Sequence, residues 1–207
     1  MKMKTGSSPG FRYLRPLLIS VALLGAAGLG LAYANAWQAN SEATRLLAVM
    51  STVKVGSSRE SEVLEAVKPF SRFENSDPQR NERGVSYTFR NRVMAFLHLA
   101  PPKFVYAGIE FRNGIVAKKS VNFYQEPRFG VVVQELMASG ASDPTSNNPR
   151  QLRTNVYGPK STVIDVHDDT SVPLSRRQLD WQIDFSCMTT MNFCANPQEM
   201  LPGIFPR

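Results

Sequence analysis

Two cysteines and one cluster of acids around a histidine are the residues whose chemistry would matter most in this chain. Cys187 and Cys194 stand in Ser186-Cys187-Met188-Thr189-Thr190-Met191-Asn192-Phe193-Cys194, with six residues between them. That spacing can bring two Cα atoms within the ~4.4–6.8 Å a disulfide demands, provided the chain turns back. Asn192 favours such a turn, and Asn196-Pro197 just beyond opposes a continuing helix. In an oxidising compartment the pair is expected as a disulfide that closes the C-terminal tail. It would gather Met188, Met191 and Phe193 into one apolar plug. A catalytic thiol would need a base beside it. The only histidines are His98 and His167, and nothing in the sequence brings either to a cysteine.

Asp165, His167, Asp168 and Asp169 form the densest polar cluster. On a strand, Asp165 and His167 share a face, and a carboxylate with an imidazole can hold a divalent metal. Three or four protein ligands are the usual requirement, and no second histidine is near. The cluster is therefore expected as a strand that ends in an acidic turn, with metal binding or hydrolysis through Asp165 and His167 as the sharper alternative. His98, in Phe96-Leu97-His98-Leu99, reads as a half-buried structural histidine. The chain contains no G-x-S-x-G nucleophile elbow, no phosphate-cradling glycine loop and no H-E-x-x-H. Lys118-Lys119 and Arg176-Arg177 read as solvated pairs. No catalytic, cofactor-binding or metal site is assigned, and no cofactor is expected.

The elements that carry these residues begin with an anchor. Leu17 to Ala34 run LLISVALLGAAGLGLAYA, without a charge. Extended to Ala36, the run is about 20 residues, the length of a bilayer core. Phe11 and Tyr13 precede it, and Tyr33 and Trp37 follow, where an interfacial aromatic belt would lie. The reading adopted is a retained signal-anchor. The alternative is a cleaved signal peptide and a protein released to the periplasm, because Ala32-Tyr33-Ala34 and Ala34-Asn35-Ala36 fit small-x-small cleavage sites. Lys2, Lys4, Arg12 and Arg15 precede the span, whereas the first acid is Glu42 and the next base Arg45. This asymmetry keeps the N-terminus in the cytoplasm and exports the bulk. The layout is a basic cytoplasmic N-terminus over 1–16, a transmembrane segment over 17–36 and an exported domain over 37–207. The net charge is +7, yet beyond residue 16 there are 20 basic and 17 acidic residues, a balance of only +3. That is no polyanion-binding signature, so nucleic acid is not an expected partner.

In the exported part, Ala43, Leu46, Leu47, Met50 and Val53 have helical spacing. This helix is expected to follow the span after a break near Asn40-Ser41, with Ser41 as its N-cap. A second helix, capped by Ser57 or Ser58, carries Val63, Leu64 and Val67 and stops at Pro69. Strands follow. Val85, Tyr87 and Phe89 alternate with polar residues, as do Val105, Ala107, Ile109 and Phe111. Asn113-Gly114 is the strongest short-range hairpin signal available. The return strand runs through Val121 and Phe123, and Phe129 to Met137 is a further strand. Val93 to Leu99 reads as a second strand or as the buried end of the strand before it, the polar run Ala138 to Arg150 as a loop, Leu152 to Tyr157 and Ser161 to His167 as short strands around Gly158-Pro159, and Trp181, Ile183 and Phe185 as one face of a last strand. Helices followed by hairpin-linked strands give an α+β fold: an N-terminal transmembrane helix, a short helix pair and an antiparallel β-sheet.

The segment Val55-Gly56-Ser57-Ser58, then Glu62-Val63-Leu64, ending at Pro69, resembles the helix start of the SmpA/BamE small lipoproteins of outer-membrane assembly, where a short helix pair also precedes an antiparallel sheet. This chain lacks the lipidated cysteine of that family. With its tail, Cys187-Met188-Thr189 to Cys194 and Glu199-Met200-Leu201-Pro202, the whole layout is similar to uncharacterised membrane-anchored exported proteins of acidobacterial type. The resemblance implies an anchor and a fold, and assigns no active residue. The expected function is a non-enzymatic binding or assembly module of the envelope, with the membrane and an envelope protein as partners and the oligomeric state open. The alternatives are a small-ligand or cell-wall binding domain, using a sheet face lined by Tyr87, Phe89, Tyr106 and Phe123, and a hydrolase.

Overall fold

A computed structural model of the chain describes residues 11–75, 84–125, 129–137, 150–156, 162–192, 194 and 196–206. The first element, α1 (Phe11–Thr52), is one helix of 42 residues. It is long and apolar enough to cross a membrane. Its two halves have different surroundings. Leu17, Leu18, Ile19, Val21, Leu23, Leu24 and Leu31 are exposed, whereas Ala39, Ala43, Leu46, Leu47 and Met50 are buried in the main core. The expected break at Asn40-Ser41 is absent. Thr44 Oγ1 donates to the Asn40 carbonyl at 2.9 Å, and the buried stripe runs past this point at three- and four-residue steps. Packing on that stripe outweighs the local capping preference of Ser41. The side chains of Phe11 and Tyr13 lie outside the described residues.

After α1 the chain turns at Gly56, whose φ of +83° suits glycine. It then forms α2 (Glu60–Val67), which a 3-10 turn (Lys68–Phe73) extends. The N-cap of α2 is Arg59, not a serine. Arg59 is held extended by a bridge to Ile115, and Ser58 Oγ instead accepts from the Lys54 amide at 2.8 Å.

Six strands follow: β1 (Gly84–Arg90), β2 (Lys103–Arg112), β3 (Ile115–Gln125), β4 (Phe129–Leu136), β5 (Arg150–Val156) and β6 (Thr162–Asp169). They form one sheet in the order β1-β2-β3-β4-β6-β5. Four junctions are antiparallel, and β4 runs parallel to β6 because β6 returns between β4 and the edge strand β5. The fold is α+β. Alternation along the strands places Tyr87, Phe89, Val105, Ala107, Val121, Phe123, Val131, Val133, Ile164 and Val166 in the main core with the second half of α1.

The β2–β3 connection is the expected tight hairpin. Asn113 and Gly114 have φ of 54° and 74° between the paired residues Arg112 and Ile115. Replacing both by alanine forces two left-handed alanines, at about 1–2 kcal/mol each. A melting temperature several degrees lower is the expected result, read by circular dichroism on the detergent-solubilised chain.

Two segments depart from the expected strands. Val93–Leu99 contains a short helix, α3 (Arg92–Phe96), closed by His98 at φ 54°. His98 is exposed, so it is a left-handed cap where a half-buried histidine was expected. The capping bond is the Leu99 amide to the Met94 carbonyl, 2.9 Å. Near the C-terminus, helix α4 (Leu174–Asp180) is followed by chain without regular structure. Trp181, Ile183 and Phe185 are buried there as the alternation implies, but they belong to no described strand. The loop expected over 138–150 and the Gly158-Pro159 turn lie outside the described residues, apart from Arg150, which opens β5.

Candidate functional site

The acidic cluster is divided by strand alternation. Asp165 and His167 lie on the sheet face opposite α1, whereas Asp168 is buried on the core side. Asp169 closes a turn, with its Oδ1 accepting from the Ser171 amide at 2.7 Å and from the Ser171 hydroxyl. Burial depresses the His167 pKa; Asp165 opposes this, and Arg153 and Lys118 add to it. The imidazole is therefore neutral at pH 7. Among the described residues no group of three or more His, Cys, Asp or Glu could hold a metal ion.

The aromatic ligand face is not assembled. Tyr87, Phe89 and Phe123 are buried in the core, with Phe123 against Phe185 at 6.4 Å between ring centroids. Tyr106 points to the other face, in register with Thr88 and Asn122.

Cys187 and Cys194 lie at disulfide-bonding distance, with Cα atoms 5.6 Å apart. Met188 is fully buried, but Met191 is half exposed, so no plug forms through Met191; Phe193 lies outside the described residues. The loop is instead organised around a lysine. Lys103 Nζ donates to the carbonyls of Cys187 (2.7 Å), Thr190 (2.9 Å) and Asn192 (2.7 Å) and to Thr190 Oγ1 (3.0 Å). The Cys194 amide donates to Gln125 Oε1 at 2.8 Å. Lys103 and Gln125 are cross-strand neighbours, so one sheet row anchors both sides of the bridge. We expect no free thiol in unreduced, denatured protein treated with a thiol reagent. Replacing both cysteines by serine should cost about 2–3 kcal/mol for so short a loop, measured by denaturant titration.

Burial lowers the Lys103 pKa from its usual 10.5 to about 8. The unfolded chain therefore holds this proton to a higher pH than the folded one. Stability rises as pH passes from 8 toward 10, because the penalty on the buried ammonium is relieved. Burial shifts Lys119 in the same direction. Tyr87, raised by burial and then by Glu74, reverses the trend above its usual 10.0. Denaturation at successive pH values should show a gain of about 1–2 kcal/mol between pH 8 and pH 10, less than the full linkage value because carbonyls solvate the ammonium. Lys103→Met should flatten that slope.

A second buried cation replaces an expected solvated one. Lys119 lies directly opposite Glu135 in the β3–β4 ladder, and the two side chains are 3.1 Å apart and almost fully buried. Arg177 of α4 pairs with the same carboxylate. Lys119 Nζ also donates to the carbonyls of Met50 (3.1 Å) and Val53 (2.8 Å), at the end of α1, and lies 4.3 Å from the Trp181 ring centroid. A cation at a helix C-terminus is electrostatically favourable. This network fastens α1 to the sheet.

A cleft of about 280 Å³ opens at the other end of the domain, where α1 leaves its apolar segment. Asn35, Gln38, Arg72, Glu74, Thr88, Arg90 and Arg92 are among its lining residues. Arg72 is paired with Glu42 at 2.6 Å. Arg90 stacks near Phe104, 5.9 Å from its centroid. The Val93 amide donates to Asn35 Oδ1 at 3.3 Å, which ties α3 to α1 at the cleft rim. Neither arginine stands out in sequence: Arg90 is an ordinary outward residue of β1, and Arg92 lies just before the segment read as strand from Val93 to Leu99. Such a set of donors suits an anionic group. No protein-family model, curated protein or solved structure matches the chain.

Proposed function

We propose that this chain is an envelope protein held in the cytoplasmic membrane by α1, with its N-terminus inside and its domain exported as a non-enzymatic binding or assembly module. One observation carries the reading: α1 is a single helix, exposed over its apolar first half and built into the domain core over its second. A helix of that kind sets the domain at a fixed height and angle above a bilayer. The basic residues before the span support the orientation. The resemblance to small envelope-assembly lipoproteins supports the module reading. The cysteine pair suits an oxidising compartment.

The test is fractionation of cells that express the full chain. It should remain with membranes after alkaline extraction, and its mass should include residues 1–36. A mature start at Asn35 or Trp37 would overturn the anchor. Capture of the full-length tagged chain from native envelope should return a reproducible envelope protein; recovery of none would count against the assembly role.

A further inference from the structure

The corner formed by α3 sits beside the anchor at one level. Ala32 and Ala36 of α1 form a small buried cluster with Met94 and Ala100, against which Val93 and Leu99 pack. This cluster lies at the last turn of the apolar segment, and α1 measures about 30 Å from Leu17 to Ala36 at 1.5 Å per residue. At the same level four large apolar or aromatic side chains face outward. Phe96 is 81% exposed and Leu97 42%, and Tyr33 and Trp37 are 53% and 59% exposed. A phenylalanine so exposed at the tip of a short helix gains nothing from water. Tyr33 and Trp37, one helical turn apart, are the residue types that settle at a headgroup layer. Arg90 and Arg92 line the cleft immediately above, beside Asn35, and meet no carboxylate among the described residues.

We propose that this corner is a second membrane contact: Phe96 and Leu97 enter the acyl–headgroup boundary of the leaflet from which α1 emerges, and Arg90 and Arg92 hold the phosphate of an anionic phospholipid of that leaflet. The proposal rests on the anchor reading above and deepens it. The occupant is lipid because the patch continues the lipid-facing surface of α1 at the depth where interfacial side chains reside, about 5–10 Å into the boundary. Apolar contact below and cationic contact above is the arrangement of an interfacial segment on an anionic surface. Its effect is to fix the rotational setting of the domain about α1, which a helix alone leaves free.

The test uses the full chain reconstituted into phosphatidylcholine vesicles with or without phosphatidylglycerol. Nitroxide labels are placed on Phe96→Cys, on Leu24→Cys as the lipid reference and on Asn113→Cys as the water reference. The native cysteines, bonded to each other, do not react. Asn113 is a suitable reference because the Glu60 amide bonds to the Gly114 carbonyl, past the far end of α1. Phe96 should be more accessible to oxygen than to a water-soluble nickel chelate, as Leu24 is, and Asn113 the reverse. Arg90→Gln with Arg92→Gln should lower affinity for phosphatidylglycerol by about 25-fold, from about fivefold per arginine at an anionic surface. Lysines at both positions should retain most of it.

A nickel-accessible Phe96 with Leu24 shielded would overturn the contact and leave the anchor standing. A nickel-accessible Leu24 would overturn both. A Phe96 label shielded from both relaxants would mean that protein covers the corner, which also overturns the proposal. Unchanged phosphatidylglycerol affinity in the double glutamine variant would remove the phosphate site.

Discussion

Glu135→Ala should destabilise the domain by about 3–5 kcal/mol, the effect of removing one partner from a buried ion network. The reason lies in what the carboxylate serves. It faces Lys119 across the ladder and Arg177 from α4, and both cations are held away from water. Alanine takes from Lys119 and Arg177 the carboxylate they share. Lys119 keeps the carbonyls of Met50 and Val53, but dipoles at a helix end compensate only part of a full charge. Glu135→Gln preserves the shape and the hydrogen-bond acceptor and should fall between alanine and wild type. Replacing Lys119, Glu135 and Arg177 together by Met, Leu and Met should recover most of the loss, because a dry apolar set needs no charge compensation. Denaturant titration of the full chain in detergent reads all three. Equal midpoints for Glu135→Ala and wild type would show that the network contributes nothing.

The same network shows where the sequence was legible. Strand alternation already places Lys119 on the stripe of Ala117, Val121 and Phe123, and Lys103 on the stripe of Val105, Ala107 and Ile109. Pairing Lys119 with Lys118 as a charged doublet hides that register. Lysine side chains are rarely buried, so composition argued for solvent while periodicity argued for the core. The partners that make burial tolerable are remote. Glu135 is supplied by another strand, and the carbonyls around Lys103 come from a loop more than 80 residues away. Periodicity within a segment cannot report such partners.

The strands read most clearly were those with simple alternation and a definite turn, above all the Asn113-Gly114 hairpin. The misread segments are those where tertiary contacts decide. Val93–Leu99 is apolar enough for a strand, but Met94 fits a pocket made by Ala32 and Ala36, and a helical turn delivers it there. Trp181, Ile183 and Phe185 alternate without a described ladder, because alternation reports burial on one side and not pairing. The candidate cleft was illegible for a related reason. Asn35, Arg72, Arg90 and Arg92 come from four elements and converge only once α1 passes beside β1.

Ser41→Pro tests whether the two halves of α1 are one mechanical piece. Asn40 and Ser41 are the residues at which a break would be expected, and a serine at a helix start would tolerate proline there or one position on. In the continuous α1 the Ser41 amide belongs to the helix ladder. Proline removes its bond to the carbonyl four residues earlier and collides with that carbonyl, a loss of about 3 kcal/mol or more in a helix interior. Ser41 is only half buried, so lost packing does not explain such a loss. The neighbours cannot yield readily: Ala39, Ala43, Leu46 and Met50 are held in the core, and Glu42 binds both Arg45 and Arg72. A kink at this point must therefore pull the stripe off the sheet or tilt the apolar half away from α3. Either response lowers stability, and the second also separates Ala36 from Met94. Thermal denaturation and hydrogen exchange at residues 36–50 should both report the loss, whereas Ser41→Ala should leave both near wild type. A proline variant as stable as wild type, with unchanged protection, would mean that the helix is interrupted at Asn40-Ser41 and that its two halves are not one rigid piece.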